Sequence, residues 1–157
     1  MSVNKKDSVQ SGDAVQYMAI DSNPAQQNAE RIRCSADAHK IVNNEMRMSE
    51  RFQEHIVIMY LNSKNEVLKS KIVAIGTVSE ALVSPADVLR TAILLRGCAR
   101  LIMVHNHPSG DPTPSAQDMQ LTHRMSDAVK LLGYELLDHL IIGRDDLYIS
   151  LKDSGKF

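Results

Sequence analysis

Two histidines one residue apart, His105 and His107, close a short apolar run, and Asp118 follows beyond a Pro- and Gly-rich connection. Side chains two apart on an extended strand point to the same face, about 6.5 Å apart at Cα. That separation lets two imidazoles converge on one ion, each about 2 Å from it. Asp118 joins from the first turn of the helix that Ser115 starts. Two neutral imidazoles and one carboxylate leave a tetrahedral position open, as catalytic zinc sites do and structural ones do not. The same residues also have a reading without metal. Ser115 and Asp118 stand three apart at a helix start, the spacing of a capping arrangement, and paired histidines after a strand can serve as loop donors.

Several elements must position these residues. The histidines leave a buried strand over 100–104, which follows a helix over 85–99. Ser84 is the expected N-cap of that helix and Pro85 its first position, with Val88, Ala92, Leu95 and Ala99 facing the core and Cys98 packed within it. After the loop 106–114, Ser115 opens a helix whose Met119, Thr122, Met125, Val129 and Leu132 share one stripe, and Gly133 stops it. Upstream, 55–61 is rich in β-formers, 62–65 is a turn cluster and 66–77 is again extended, so 54–77 reads as a hairpin. Ser35 caps a helix to about Met46 with Ala38, Ile41, Val42 and Met46 on one side. Strands over 135–142 and 147–151 flank a turn at 143–146. The pattern predicts an α/β fold, a mixed β-sheet with helices packed on its faces, of unspecified strand order. Residues 1–25 are polar and read as a flexible or loosely docked arm with a short apolar break at 17–20; the folded domain is expected over 26–157.

His105-x-His107, seven residues, Ser115, two residues and Asp118 match the His-x-His-x7-Ser-x2-Asp signature of the JAMM (MPN-type) metalloproteases. The fuller string from His105 to Ser115, with Leu137-Asp138-His139 and Ile142-Gly143 downstream, resembles the RadC branch of that group over about 54–150. The resemblance implies a JAMM/MPN, cytidine-deaminase-like layer fold and one zinc (Zn2+) per chain held by His105, His107 and Asp118, with a water as nucleophile. It implies that Ser115 helps hold the oxyanion of a tetrahedral intermediate, a role that suits the free N–H groups and positive end of a helix N-terminus. It also implies a glutamate general base from an earlier strand. Glu54 is the choice, because it stands immediately before the strand at 56–62, where RadC-like sequences carry that residue.

The implied activity is hydrolysis of an amide bond in a peptide or protein substrate, by a metallopeptidase or isopeptidase. The resemblance also points to a bacterial source, which disfavours a ubiquitin-type substrate. Two alternatives remain: a non-catalytic MPN-like binding module, or an accessory protein of DNA repair or metabolism, as the RadC label suggests. A full ligand set with Ser115 and Glu54 favours the enzyme over a decayed scaffold. The helical DNA-binding-type domain of longer members is not expected, because too few residues precede position 50.

Asp138 and His139 pose a separate question. Neighbours on a strand face opposite ways, with Leu136, Leu140 and Ile142 flanking Asp138 and Leu137 and Ile141 flanking His139. Both faces look buried, and buried polar groups need partners. One of the two orients a metal-bound imidazole and the other is an ordinary satisfied residue; the sequence leaves open which. His39, His55 and His123 lack ligand spacing and read as surface or packing residues. Arg90, Arg96 and Arg100 read as a solvated face.

Composition excludes other classes. The chain has 157 residues with 43% hydrophobic and 24% charged, enough for one domain with a real core. A net charge of -1, aromatics at 4% and no Trp argue against a nucleic-acid partner. A zinc nucleobase deaminase would need His-x-Glu with Pro-Cys-x-x-Cys, and neither occurs. His105-Asn106-His107 spells HNH by coincidence, since HNH nucleases spread those residues over a ββα unit. Cys34 and Cys98 are too few for a disulfide framework. No apolar run reaches the roughly 20 residues of a membrane span, and no apolar core follows the N-terminal lysines. The expectation is a soluble cytoplasmic protein with no membrane partner and with reduced thiols.

Overall fold

The computed structural model describes residues 30–76 and 83–157. The polar arm expected over 1–25, the break at 17–20 and the end of the second strand at 77 lie outside them. Chain order is α1 (Ser35–Met46), a 3-10 turn (Met48–Glu50), β1 (His55–Asn62), β2 (Val67–Ile75), α2 (Pro85–Leu94), β3 (Cys98–Asn106), α3 (Ala116–Leu131), β4 (Glu135–Ile142) and β5 (Tyr148–Ser150). The strands form one mixed sheet in the order β2-β1-β3-β4-β5. The β3–β4 pair is parallel, joined through α3, and every other pair is antiparallel. The expected α/β fold is therefore observed. Among the described residues no helix is long and apolar enough to cross a membrane.

Period-two side-chain alternation divides the core into two layers. From β1, Ile56, Ile58 and Tyr60 pack with Val88, Leu89 and Ala92 of α2 and Leu121, Met125 and Val129 of α3. Val57, Met59 and Leu61 point the other way, against Ala38, Ile41 and Val42 of α1. Because both faces are covered, β1 is buried from His55 to Leu61, and its sequence is continuously apolar rather than alternating.

Several boundaries differ from expectation. The helix expected over 85–99 ends at Leu94, because Gly97 at φ +81° turns the chain. Strand β3 then begins at Cys98, which pairs with Asn62. Cys98 and Ala99 are thus strand residues. Cys98 is half-buried against the core, as expected of a packing residue, and burial pushes its thiol pKa up. Ser84 does occupy the N-cap of α2, but its side chain makes no cap hydrogen bond. For α1 the cap position falls to Cys34; the Ser35 hydroxyl instead donates to Asp153 at 2.5 Å. On α3, Leu132 lies beyond the last turn and is 55% exposed, while Leu121, outside the expected stripe, is fully buried. Arg100 is not merely solvated: it bonds Glu135 at 3.0 Å and Asn65 at 2.8 Å, tying β4 to the β1–β2 turn.

One irregularity bears on the site. The β3–β4 register slips between Leu101↔Leu136 and Ile102↔Asp138, so Leu137 is an extra residue. The bulge inverts the alternation. Leu136 faces the α2–α3 layer, whereas Leu137 packs with Leu140 and Ile142 on the α1 layer. The expected grouping of Leu136 with Asp138, and of Leu137 with His139, is corrected by this one residue.

Candidate metal centre

The C-terminal end of β3 delivers both histidines. His105 is fully buried and paired with Ile56 of β1 and Ile141 of β4. His107 follows the strand, its N–H donating to the Ile142 carbonyl at 2.8 Å. Beyond it the loop is pinned against the β4–β5 turn, where Arg144 N–H donates to the Gly110 carbonyl. Gly143 is required there, because a Cβ would stand 2.3 Å from that carbonyl oxygen.

Asp118 enters from the first turn of α3. Ser115 and Asp118 form a complete capping box: Ser115 N–H donates to Asp118 Oδ2 at 2.7 Å, and Asp118 N–H to Ser115 Oγ at 3.2 Å. The Ser115 hydroxyl also donates to Oδ2 at 2.6 Å. The capping reading is therefore present, and it turns the carboxylate toward the histidines rather than away from them.

Glu54 arrives from the segment before β1. Continuing the β1–β3 register past Ile56↔His105 sets Glu54 opposite His107. Asn106, between the two histidines, faces the other way and clamps this segment. Its Oδ1 accepts from His55 N–H at 2.8 Å, and its Nδ2 donates to the carbonyls of Gln53 at 3.1 Å and Arg51 at 3.3 Å.

The side chains meet at one point. His105 Nε2 lies 2.9 Å from His107 Nε2, 3.2 Å from Asp118 Oδ1 and 4.0 Å from Glu54 Oε1. His107 Nε2 is 3.5 Å from Asp118 Oδ2. Glu54, His105 and His107 each bring a ligand atom within 4.8 Å of the others. His107 Nδ1 is 2.7 Å from the Asp111 carbonyl, which can only accept, so Nδ1 carries the ring proton and Nε2 is left as a bare lone pair. Basic nitrogens and carboxylate oxygens at such distances, in a buried place, need a cation or protons between them. The donor set fits a divalent metal.

Electrostatics agree. Without a cation, protons take its place: burial alone would raise the Asp118 carboxyl pKa, but hydrogen bonds from the then protonated Nε2 atoms of His105 and His107, the His105 charge and Ser115 hold it well below the usual carboxylate range. Proton uptake at His107 Nε2 creates a hydrogen bond to Asp118, which raises the His107 pKa against burial. His139 is fully buried, and burial pushes its pKa well down, so it is neutral near pH 7.

The remaining histidines separate as expected. His39 stacks on Tyr148, His55 is buried with Nδ1 2.8 Å from the Gln53 carbonyl, and His123 is exposed. Asp138 and His139 also separate. His139 Nε2 lies 2.8 Å from His105 Nδ1, whereas Asp138 turns to Ser150 and Lys152 on the opposite layer. Two residues with roles at the site carried no sequence signal that sequence reasoning used, Asn106 and the hydroxyl of Thr122. For Thr122 the available sign was a polar residue in an apolar stripe, four positions after Asp118.

The arrangement has clear relatives. Residues 32–156 match the RadC-like JAB domain model. The chain belongs to the RadC-like JAB domain family. It is 49% identical to the "UPF0758 protein" of Geobacillus thermodenitrificans over 79% of this chain and 53% of that protein. It is 48% identical to the "UPF0758 protein" of Methanosarcina acetivorans over 69% of this chain and 47% of that protein. The chain thus spans about half the length of these curated relatives. Family membership and the Glu54, His105 and His107 cluster together support a metallohydrolase of JAMM type.

Proposed function

We propose that this RadC-like JAB domain is a zinc metallopeptidase or isopeptidase that hydrolyses an amide bond in a peptide or protein substrate. His105, His107 and Asp118 hold the metal, and Glu54 and Ser115 are the catalytic residues. The observation that carries this reading is the spacing of donors. Ligands about 2.0–2.1 Å from a tetrahedral ion lie about 3.3 Å from one another. The two Nε2 atoms are 2.9 Å apart and His105 Nε2 is 3.2 Å from Asp118 Oδ1, both close to that edge, while the other carboxylate oxygen, Oδ2, is 3.5 Å from His107 Nε2. Glu54 stands farther off at 4.0 Å, the place of a carboxylate that works on a water rather than on the ion.

When bound, zinc supplies Lewis acidity and lowers the pKa of water to about 7. The protein's residues do the rest. Glu54 Oε1, in a side chain only 16% exposed, takes the proton from the attacking water and passes it to the leaving amine nitrogen. Ser115 turns its hydroxyl proton from Asp118 Oδ2 to the oxygen that gains charge, beside the N–H groups of the first α3 turn. A cleft of about 790 Å³ lined by Arg51, Phe52, His107, Pro108 and Arg144 opens beside His107, and the substrate chain would lie there. The reading includes a cytoplasmic setting, in which the free thiols Cys34 and Cys98 stay reduced.

Metal content of the purified protein by mass spectrometry tests the site. Wild type should carry about one zinc per chain and Asp118→Ala little. A wild type that stays metal-free after reconstitution with zinc would replace the enzyme with a binding module.

A further inference from the structure

We propose that Thr122 and His139 form a hydrogen-bond relay that fixes the tautomer of His105 and so presents its Nε2 as a ligand; this rests on the metal centre of the preceding reading. The relay starts at an atom whose role is unambiguous. The Asp118 backbone carbonyl can only accept, and Thr122 Oγ1 donates to it at 2.6 Å. A hydroxyl has one proton. Thr122 Oγ1 therefore meets His139 Nδ1, 2.6 Å away, with a lone pair, and Nδ1 must be the donor.

A neutral imidazole that donates from Nδ1 is bare at Nε2. That nitrogen of His139 is 2.8 Å from His105 Nδ1, so His105 donates from Nδ1 and is in turn bare at Nε2. This is the atom that faces His107 and Asp118. The chain of bonds begins on the Asp118 carbonyl and ends beside the Asp118 carboxylate.

The two histidines differ in how they are ordered. Metal-binding histidines usually donate their second N–H to a carbonyl or carboxylate, and His107 does so to Asp111. His105 instead faces another imidazole, which can donate or accept. A third group must break that symmetry, and Thr122 is it. Thr122, His139 and His105 are all 0% exposed, so bulk water cannot substitute. Thr122 and His139 are positioning residues.

Long-range 1H–15N spectra of the metal-free wild type test the relay without any substitution. His139 is expected to be protonated at Nδ1 and bare at Nε2, with His105 Nδ1 donating to it; an Nε2–H form of His139 donating to His105 would overturn the proposal. Thr122→Val removes the hydroxyl and nearly keeps the shape. Its zinc affinity, measured by competition with a chromophoric chelator, should fall about 10–100-fold, with His105 shifting toward Nε2–H, and Thr122→Ser should restore both. Wild-type affinity and tautomer in a folded Thr122→Val would also refute it. Should wild type bind no zinc, the metalloenzyme reading fails while the tautomer spectrum still decides the relay.

Discussion

Asp118 and Asp138 are both buried carboxylates, 1% and 6% exposed, yet their surroundings differ in the balance of protons. Asp138 meets only donors: Ser150 Oγ at 2.6 Å on Oδ2, and the N–H groups of His139 at 2.7 Å and Lys152 at 3.1 Å on Oδ1. Burial raises its pKa, and those donors offset part of that cost. Asp118 has donors of its own from Ser115 but also faces His105 and His107, whose ring nitrogens face each other. One cluster is closed with matched donors and acceptors. The other holds surplus lone pairs, which a cation would satisfy. A buried polar cluster is thus read as structural or ligand-binding by counting protons, not by counting polar residues.

The largest expected effect sharpens the open side of this contrast. Glu54→Gln keeps the shape and the hydrogen-bonding oxygen but cannot carry the transferred proton. Zinc should remain at about one per chain, while kcat on a panel of quenched fluorescent peptides should fall about 10²–10⁴-fold. Full activity in that variant would assign the proton transfer to another group, and lost zinc would make Glu54 a ligand.

Asp138→Ala tests the closed side. It strands the Ser150 hydroxyl and the Lys152 N–H without their acceptor. The unfolding free energy should drop by about 1–3 kcal/mol, read from chemical denaturation, with zinc content unchanged. Zinc lost from a folded Asp138→Ala would break the comparison, because the carboxylate would then be serving the metal through the neighbouring His139.

How much of this was legible beforehand depends on range. His105, His107, Ser115 and Asp118 sit within one strand-loop-helix segment, so local spacing alone brings them together. The mixed sheet and its hairpin were legible for the same reason, since continuous apolar runs and turn clusters are local signals. Glu54 needed the resemblance, because only the pairing of β1 with β3 sets it opposite His107. The assignment of His139 needed the bulge at Leu137 and the partners supplied by α3 and β5. Asn106 was hidden between the two ligands, and its clamp on 51–55 is a contact across 51 residues or more. The end of α2 at Leu94 was missed because Leu95 and Ala99 continue a helical period through a glycine.

The smallest effect concerns a histidine with neither balance nor surplus. His39 is buried on α1 and stacked on Tyr148 with ring centroids 4.5 Å apart, and its Nε2 has no hydrogen-bond partner among the described residues. Burial lowers its pKa below the ordinary 6.5, against the pull of Asp146. The unfolded chain therefore binds this proton at higher pH than the folded one does. Stability linked to His39 is present above pH 6.5 and is lost as pH falls through the lowered value. Thermal melts of the metal-free protein between pH 7.5 and 5 should show wild type losing more stability on acidification than His39→Gln, because only wild type has this proton to take up. The difference between the two slopes isolates His39, since His107 and His139 titrate equally in both proteins. Parallel slopes would mean that the ring takes up its proton without leaving the Tyr148 stack, and that a buried histidine outside the metal centre is as free to charge as one in solution.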